Sequence, residues 1–242
     1  MIETALAVSL LANAAVVVGI LWAFRNRPDV ARSFMQRAQE QMRSFFEEFR
    51  VRPGDIVFVG DSITAGARWP EVFPGRPIRN RGINGDTTTG VLDRLGPIIG
   101  GRPDAIFLMI GSNDLGLGRS VEDTVDNIEE IVRRIRLESP ATRIVLQSVL
   151  PRERDLADDI SRLNDGIRSL AFRSGLAYVD LVRAFADESG QLRRELTNDG
   201  LHLLGPGYAL WAELVRDLLP PGPPPPARSL GRSRARPKAA RG

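Results

Sequence analysis

The chain has 242 residues, 43% of them hydrophobic and 26% charged, which suits one globular domain of ordinary size with appendages. It contains no cysteine and a single histidine, His202, so disulfides and thiolate zinc sites are excluded, and any imidazole chemistry must use that residue. The net charge is +3, but much of the positive excess lies in the C-terminal stretch ARSLGRSRARPKAARG; a basic tail of that kind argues against a specific nucleic-acid partner.

From the N-terminus, residues 4–24 (TALAVSLLANAAVVVGILWAF) carry no charge, and about 20 such residues cross a bilayer. Trp22 and Phe24 suit the interface, and Arg25 and Arg27 follow directly. A cleaved signal peptide and a buried core helix are the competing readings. The first wants a basic start, whereas the only charged side chain ahead of the run is Glu3. The expectation is an uncleaved single-pass anchor over residues 1–28, with the flanking arginines favouring a cytoplasmic domain. Residues 29–52 follow as an amphipathic linker helix, with Phe34, Met35, Ala38, Met42, Phe45, Phe46 and Phe49 spaced by three to four. It packs either on the domain, the expected case, or on the membrane surface.

From residue 55, short apolar runs alternate with helical patterns. DIVFVGD, PIRNRGI, AIFLMIG, RIVLQSV and LAYVDL read as strands; VEDTVDNIEEIVRRIRLE and DISRLNDGIRSLAFRSG read as helices. Such alternation predicts an α/β domain, residues 53–219, with a parallel sheet covered on both faces. A final helix, GPGYALWAELVRDLL, closes it. Residues 220–242, proline-rich and then basic, lack the apolar content to fold.

In an open parallel sheet, functional residues gather beyond the carboxyl ends of the strands. Those ends read GDSIT, NRGINGDTT, GSNDLG and LPRERD, with TNDGLHLLGPGY before the last helix. Ser62 in the first is either a helix cap or a nucleophile that needs a base. The base would have to be His202, and Asp199, three residues earlier and about one helical turn away, could orient it; a turn aspartate and a surface histidine are the plainer alternative. Donors for a developing oxyanion would be the N–H groups of Ser62 and Gly85 and the side chain of Asn113. Gly85 is equally at home as a turn glycine, and Asn113 as a cap. Asp61 is expected to hold the turn by local hydrogen bonds. Asp86 and Asp114 could hold a metal with Asp199, but nothing in their spacing demands one. The serine lacks the G-x-S-x-G pattern of ordinary α/β-hydrolases.

GDSIT, GINGDTT, GSND and DGLH, in that order, resemble the SGNH (GDSL) hydrolase superfamily. Within it, NRGINGDTTTGVLDRL, SVLPR and LHLLGPGY are similar to the catalytic subunits of platelet-activating-factor acetylhydrolase type Ib and their bacterial relatives. The resemblance covers roughly residues 55–219. It implies a three-layer, flavodoxin-like α/β/α sandwich with about five parallel strands. It also implies Ser62 as nucleophile, His202 as base, Asp199 as orienter, and Ser62, Gly85 and Asn113 as oxyanion hole. The implied reaction is ester hydrolysis through an acyl-enzyme, without metal or cofactor, on a small-molecule, lipid or sugar ester. A silent acyl- or carbohydrate-binding module and an acyltransferase are the alternatives on the same fold.

Overall fold

The computed structural model describes residues 16, 19, 28–152 and 154–221. The proposed anchor over residues 4–24 therefore lies outside the described residues apart from Val16 and Gly19, and the basic tail lies outside them too. Among the described residues, no helix is long and apolar enough to cross a membrane.

Five parallel strands form one sheet in the order β2-β1-β3-β4-β5. They are β1 (Ile56–Gly60), β2 (Ile78–Gly82), β3 (Ala105–Met109), β4 (Arg143–Gln147) and β5 (Ala177–Val179). This is a doubly wound order with its reversal next to β1. Each of the five apolar runs in the sequence supplies one strand. Phe58 of β1 and its register partner Phe107 of β3 stack with ring centroids 4.8 Å apart. Phe58 also stacks on Trp69 and meets Trp211 edge-on, so this face is covered by α3 (Trp69–Val72) and α10 (Gly205–Val215). The alternating residues Val57, Val59, Ile106 and Leu108 are buried as well. Successive strand side chains point to opposite faces, so both faces are covered, as near-continuous apolar strands require.

The long helices form where periodicity places them. Helix α7 (Val121–Glu138) starts with Ser120 as cap, its side chain accepting from Asp123 N, and buries Ile128, Ile131, Val132 and Ile135. Helix α8 (Ala157–Arg173) packs beside it and buries Ile160, Leu163, Ile167 and Leu170. The closing helix is shorter than its apolar pattern: α10 stops at Val215 and Arg216–Leu218 tighten into a 3₁₀ turn. Helix α1 (Pro28–Glu48) occupies most of the expected linker segment. Short helices α2 (Ser62–Ala65), α4 (Thr88–Asp93), α5 (Leu95–Ile99), α6 (Ser112–Gly116) and α9 (Val182–Phe185) open the strand-to-helix connections, too brief to leave a periodic signal.

The turn after β1 is pressed against β2. A Cβ on Gly82 would lie 2.2 Å from Ala65 N and 2.8 Å from Asp61 O. Those neighbours are backbone and cannot step aside. Gly82→Ala is expected to cost about 2–3 kcal/mol by overpacking, measured as a lowered urea midpoint, and to shift the turn that carries Ser62.

Candidate active site

The turn after β1 carries Ser62 at the first position of α2. The cap is not Ser62 but Asp61, whose Oδ1 accepts from Ile63 N at 3.0 Å. The local reading of Ser62 as a cap is therefore off by one residue: a capping side chain must reach back over the N–H groups of the first turn, and Asp61 does that, which leaves the Ser62 hydroxyl free to point elsewhere. The turn is braced from three sides. Asn80 Nδ2 lies 3.0 Å from each of the carbonyls of Thr64, Ala65 and Ala67 and shares its two hydrogens among them, while its Oδ1 accepts from Gly82 N. Trp69 Nε1 donates to Thr64 O, and Tyr208 Oη donates to Ile63 O at 2.9 Å.

Ser62 Oγ lies 3.0 Å from His202 Nε2, and His202 Nδ1 lies 2.7 Å from Asp199 Oδ2. An ionised carboxylate only accepts hydrogen bonds. It therefore fixes the proton on Nδ1 and leaves Nε2 as an acceptor for the serine hydroxyl. Asp199 and His202 are not one turn apart on a helix. They sit in a tight turn in which Asp199 Oδ1 accepts from Leu201 N at 2.9 Å and His202 N at 2.7 Å. The His202 ring N–H, followed by these two backbone N–H groups, holds the Asp199 carboxyl well below the usual carboxylate range. Both side chains are nearly half exposed, at 45% and 48%, so the site opens on the rim.

The loops after β2 and β3 flank the Ser62 turn because β1 lies between those strands. Gly85, in the first loop, has φ +70°, a conformation that favours glycine. Asn113, in α6, donates from Nδ2 to Asp86 O at 2.9 Å, which ties the two loops together. Each amide of this kind carries a second N–H. Asp86 and Asp114, weighed from sequence as metal ligands with Asp199, are engaged otherwise. Asp86 Oδ2 accepts from the buried Arg94 Nε at 2.7 Å. Asp114 accepts from the N–H of Thr88 at 2.9 Å and its hydroxyl at 2.7 Å, and pairs with Arg119. Among the described residues, no group of three or more His, Asp or Glu could hold a metal ion.

Asp61 is buried, and burial pushes its carboxyl up to about 6; the Ile63 N–H opposes this, the Asp86 charge adds to it, and His202 and Arg152 oppose it. A carboxyl with a raised pKa binds protons more tightly in the fold than in the unfolded chain. The contribution of Asp61 to stability therefore falls as pH climbs from about 4 to about 6, by about 3 kcal/mol in all. Asp61→Asn keeps an oxygen for Ile63 N–H and removes the charge. The variant is expected to gain stability over the wild type progressively across that window, and to keep the gain above it. Denaturation series at pH 4, 6 and 8 check this; a difference that does not change with pH would refute it.

Sequence reasoning missed Asn80, Tyr208 and Arg94. Asn80 and Tyr208 join the site through contacts between residues distant in sequence, and Arg94 by folding back onto Asp86, eight residues earlier, and onto Gly60 O. The asparagine of NRG sits between two arginines in a strand of mixed burial, so no local signal sets it apart.

Comparison with known proteins agrees with this architecture. Residues 58–210 match the GDSL-like Lipase/Acylhydrolase family. Platelet-activating factor acetylhydrolase IB subunit alpha2 of Gallus gallus is 28% identical over 193 residues, covering 76% of this chain and 83% of that protein. A solved structure from Streptococcus pneumonia superposes with a TM-score of 0.72 at 30% identity, over 78% of this chain and 96% of that one. The lipase/acylhydrolase from Enterococcus faecalis superposes with a TM-score of 0.58 at 25% identity, over 70% and 99%. The class is that of ester-cleaving acylhydrolases on a five-stranded parallel α/β sheet. The chain belongs to the GDSL-like lipase/acylhydrolase family and is a hydrolase of that kind.

Proposed function

We propose that this hydrolase cleaves carboxylic esters through an acyl-enzyme on Ser62. The observation that carries the reading is the Ser62 Oγ to His202 Nε2 distance of 3.0 Å, with Asp199 on the other ring nitrogen at 2.7 Å. His202 Nε2 takes the hydroxyl proton as Ser62 Oγ attacks the ester carbonyl carbon. The resulting imidazolium is stabilised by ionised Asp199. The tetrahedral oxyanion receives hydrogen bonds from the N–H of Ser62, the N–H of Gly85 and the Asn113 side chain. The first residue of a helix has no intrahelical acceptor for its N–H, so the Ser62 donor is available. His202 then returns the proton to the leaving alcohol. Water attacks the acyl-enzyme by the same route in reverse, His202 again serving as base, and releases the acid and Ser62. The scheme needs no metal or cofactor.

The substrate we infer is an ester with a short acyl group, on a lysophospholipid-type or O-acetylated molecule. Support comes from the similarity to platelet-activating factor acetylhydrolase subunits, whose name is that of enzymes removing an acetyl group. We further propose that residues 53–219 form the hydrolase domain and that residues 4–24 anchor it in a bilayer as a single pass. The absence of charge over that stretch supports the anchor, and Arg25 and Arg27 support a cytoplasmic domain. A reporter fused to the C-terminus tests the side. The full chain in detergent, assayed on p-nitrophenyl esters of increasing acyl length, tests the function. Turnover greatest on acetate and lost in Ser62→Ala supports the reading; binding without turnover would instead mark a binding module.

A further inference from the structure

Helix α1 gives only part of its apolar stripe to the domain. Phe46 is 7% exposed, with the Arg81 guanidinium 4.4 Å from its ring centroid. Arg81 Nη2 also donates to Phe49 O, and Gln39 Nε2 donates to Asn84 O at 3.0 Å. The rest of the stripe is uncovered: Phe34 is 70% exposed, Phe45 49%, Phe49 55% and Met42 37%. At about 100° per residue these four fall within one sector of roughly 80°, and their span along the axis is about 22 Å. Phe45 and Phe49 rest against each other, ring centroids 4.5 Å apart. This is a continuous ridge, unlike the scattered apolar residues any surface carries.

The ridge leads to the catalytic rim. A Cβ on Gly85 would lie 3.3 Å from Met35 Sδ and 3.5 Å from Gln39 Nε2, so the N-terminal half of α1 lies over the Asn84–Gly85 turn. The uncharged run ends at residue 24 and α1 begins at Pro28. Four residues reach at most about 14 Å, so an anchored chain holds the start of α1 at the bilayer surface.

We propose that α1 lies along the membrane surface with Phe34, Met42, Phe45 and Phe49 at the boundary of headgroups and acyl chains, so that the catalytic rim faces lipid and the substrate is an amphiphilic ester drawn from the bilayer. A helix with one apolar face and one charged face lies on a membrane and does not cross it. Over residues 28–50, Arg32, Arg37, Arg43 and Arg50 balance Asp29, Glu40, Glu47 and Glu48. Apolar contact therefore drives the docking; anionic lipid is not needed and salt does not reverse it. The inference rests on the anchor and the esterase reading proposed above.

The chain has no cysteine, which permits clean single-site labelling. Phe45→Cys and Phe49→Cys, with Phe172→Cys as control (Phe172 is 88% exposed at the end of α8), carry an environment-sensitive dye on the full chain in phosphatidylcholine vesicles. The labels at 45 and 49 are expected to shift to the blue and to be quenched by nitroxide lipids several-fold more than the label at 172, regardless of salt or protein dilution. Labels as wet as the control would overturn the proposal, and a blue shift lost on dilution would assign the ridge to a second copy of the chain. If the chain floats with vesicles but the labels stay wet, only the α1 proposal fails. If it does not float, the anchor and the α1 proposal fail together. A Phe34→Ser/Phe45→Ser/Phe49→Ser variant should lose several-fold in hydrolysis of a lysophospholipid held in vesicles and keep its rate on soluble p-nitrophenyl acetate; equal loss on both would contradict the substrate assignment. Failure of the esterase reading shows as no turnover of either ester and leaves the label result unaffected.

Discussion

Ser62→Ala and His202→Ala are each expected to lower kcat by about 10⁵–10⁶-fold, and the double variant by no more than either single one. The reason is geometric. The serine hydroxyl is a poor nucleophile unless its proton has somewhere to go, and the nitrogen 3.0 Å away belongs to the only imidazole in the chain. Removing either partner removes the same step, so the losses do not add. The remaining rate would come from the oxyanion donors and binding, which both variants retain. KM is expected to move little, because neither group is the main contact to bound ester. Steady-state kinetics on p-nitrophenyl acetate for the three variants is the check. Multiplying losses would mean that Ser62 and His202 do not act as one unit.

Asp199→Asn is expected to lower kcat by about 10⁴-fold while leaving the fold intact. The amide can keep an oxygen on Leu201 N and His202 N, where Asp199 Oδ1 sits now. Its NH₂ then faces Nδ1 and donates to it. That moves the ring proton to Nε2, which can no longer accept from Ser62. Asp199 stays ionised well below neutral pH because the histidine ring N–H and two backbone N–H groups stabilise its charged form. Its titration therefore does not shape the rate near neutrality in the wild type. The discriminating readout is kcat alongside an unchanged unfolding midpoint. A loss of activity matched by a loss of stability would point to a structural role.

Much of this was legible in the sequence, for physical reasons. Parallel strands buried on both faces leave unbroken apolar runs, so all five strands stood out, as did helical patterns over 121–138 and 159–175, the second forming two residues earlier, over 157–173. Strand ends converge on one rim, which directed attention to the segments carrying Ser62, Gly85, Asn113, Asp199 and His202. What was not legible depends on backbone detail or distant contact. The exchange of cap from Ser62 to Asp61 is a one-residue matter of where a side chain bends back. The Asp199–His202 pair looked like a helical spacing and is an Asx-type turn. Asp86 offered itself as a metal ligand because nothing local reveals Arg94, eight residues on, folded back to it at 2.7 Å. The stripe of α1 has the period of a packing helix, and periodicity cannot say that Phe46 is covered while Phe34, Phe45 and Phe49 are not.

The central claim is that Ser62 becomes acylated. The full chain treated with a fluorophosphonate, then digested and weighed by mass spectrometry, tests it most directly. The account predicts one stoichiometric adduct, on the peptide containing Ser62, absent in Ser62→Ala and formed far more slowly in His202→Ala. An enzyme that hydrolyses esters yet carries its adduct on another residue, or carries none, would contradict it.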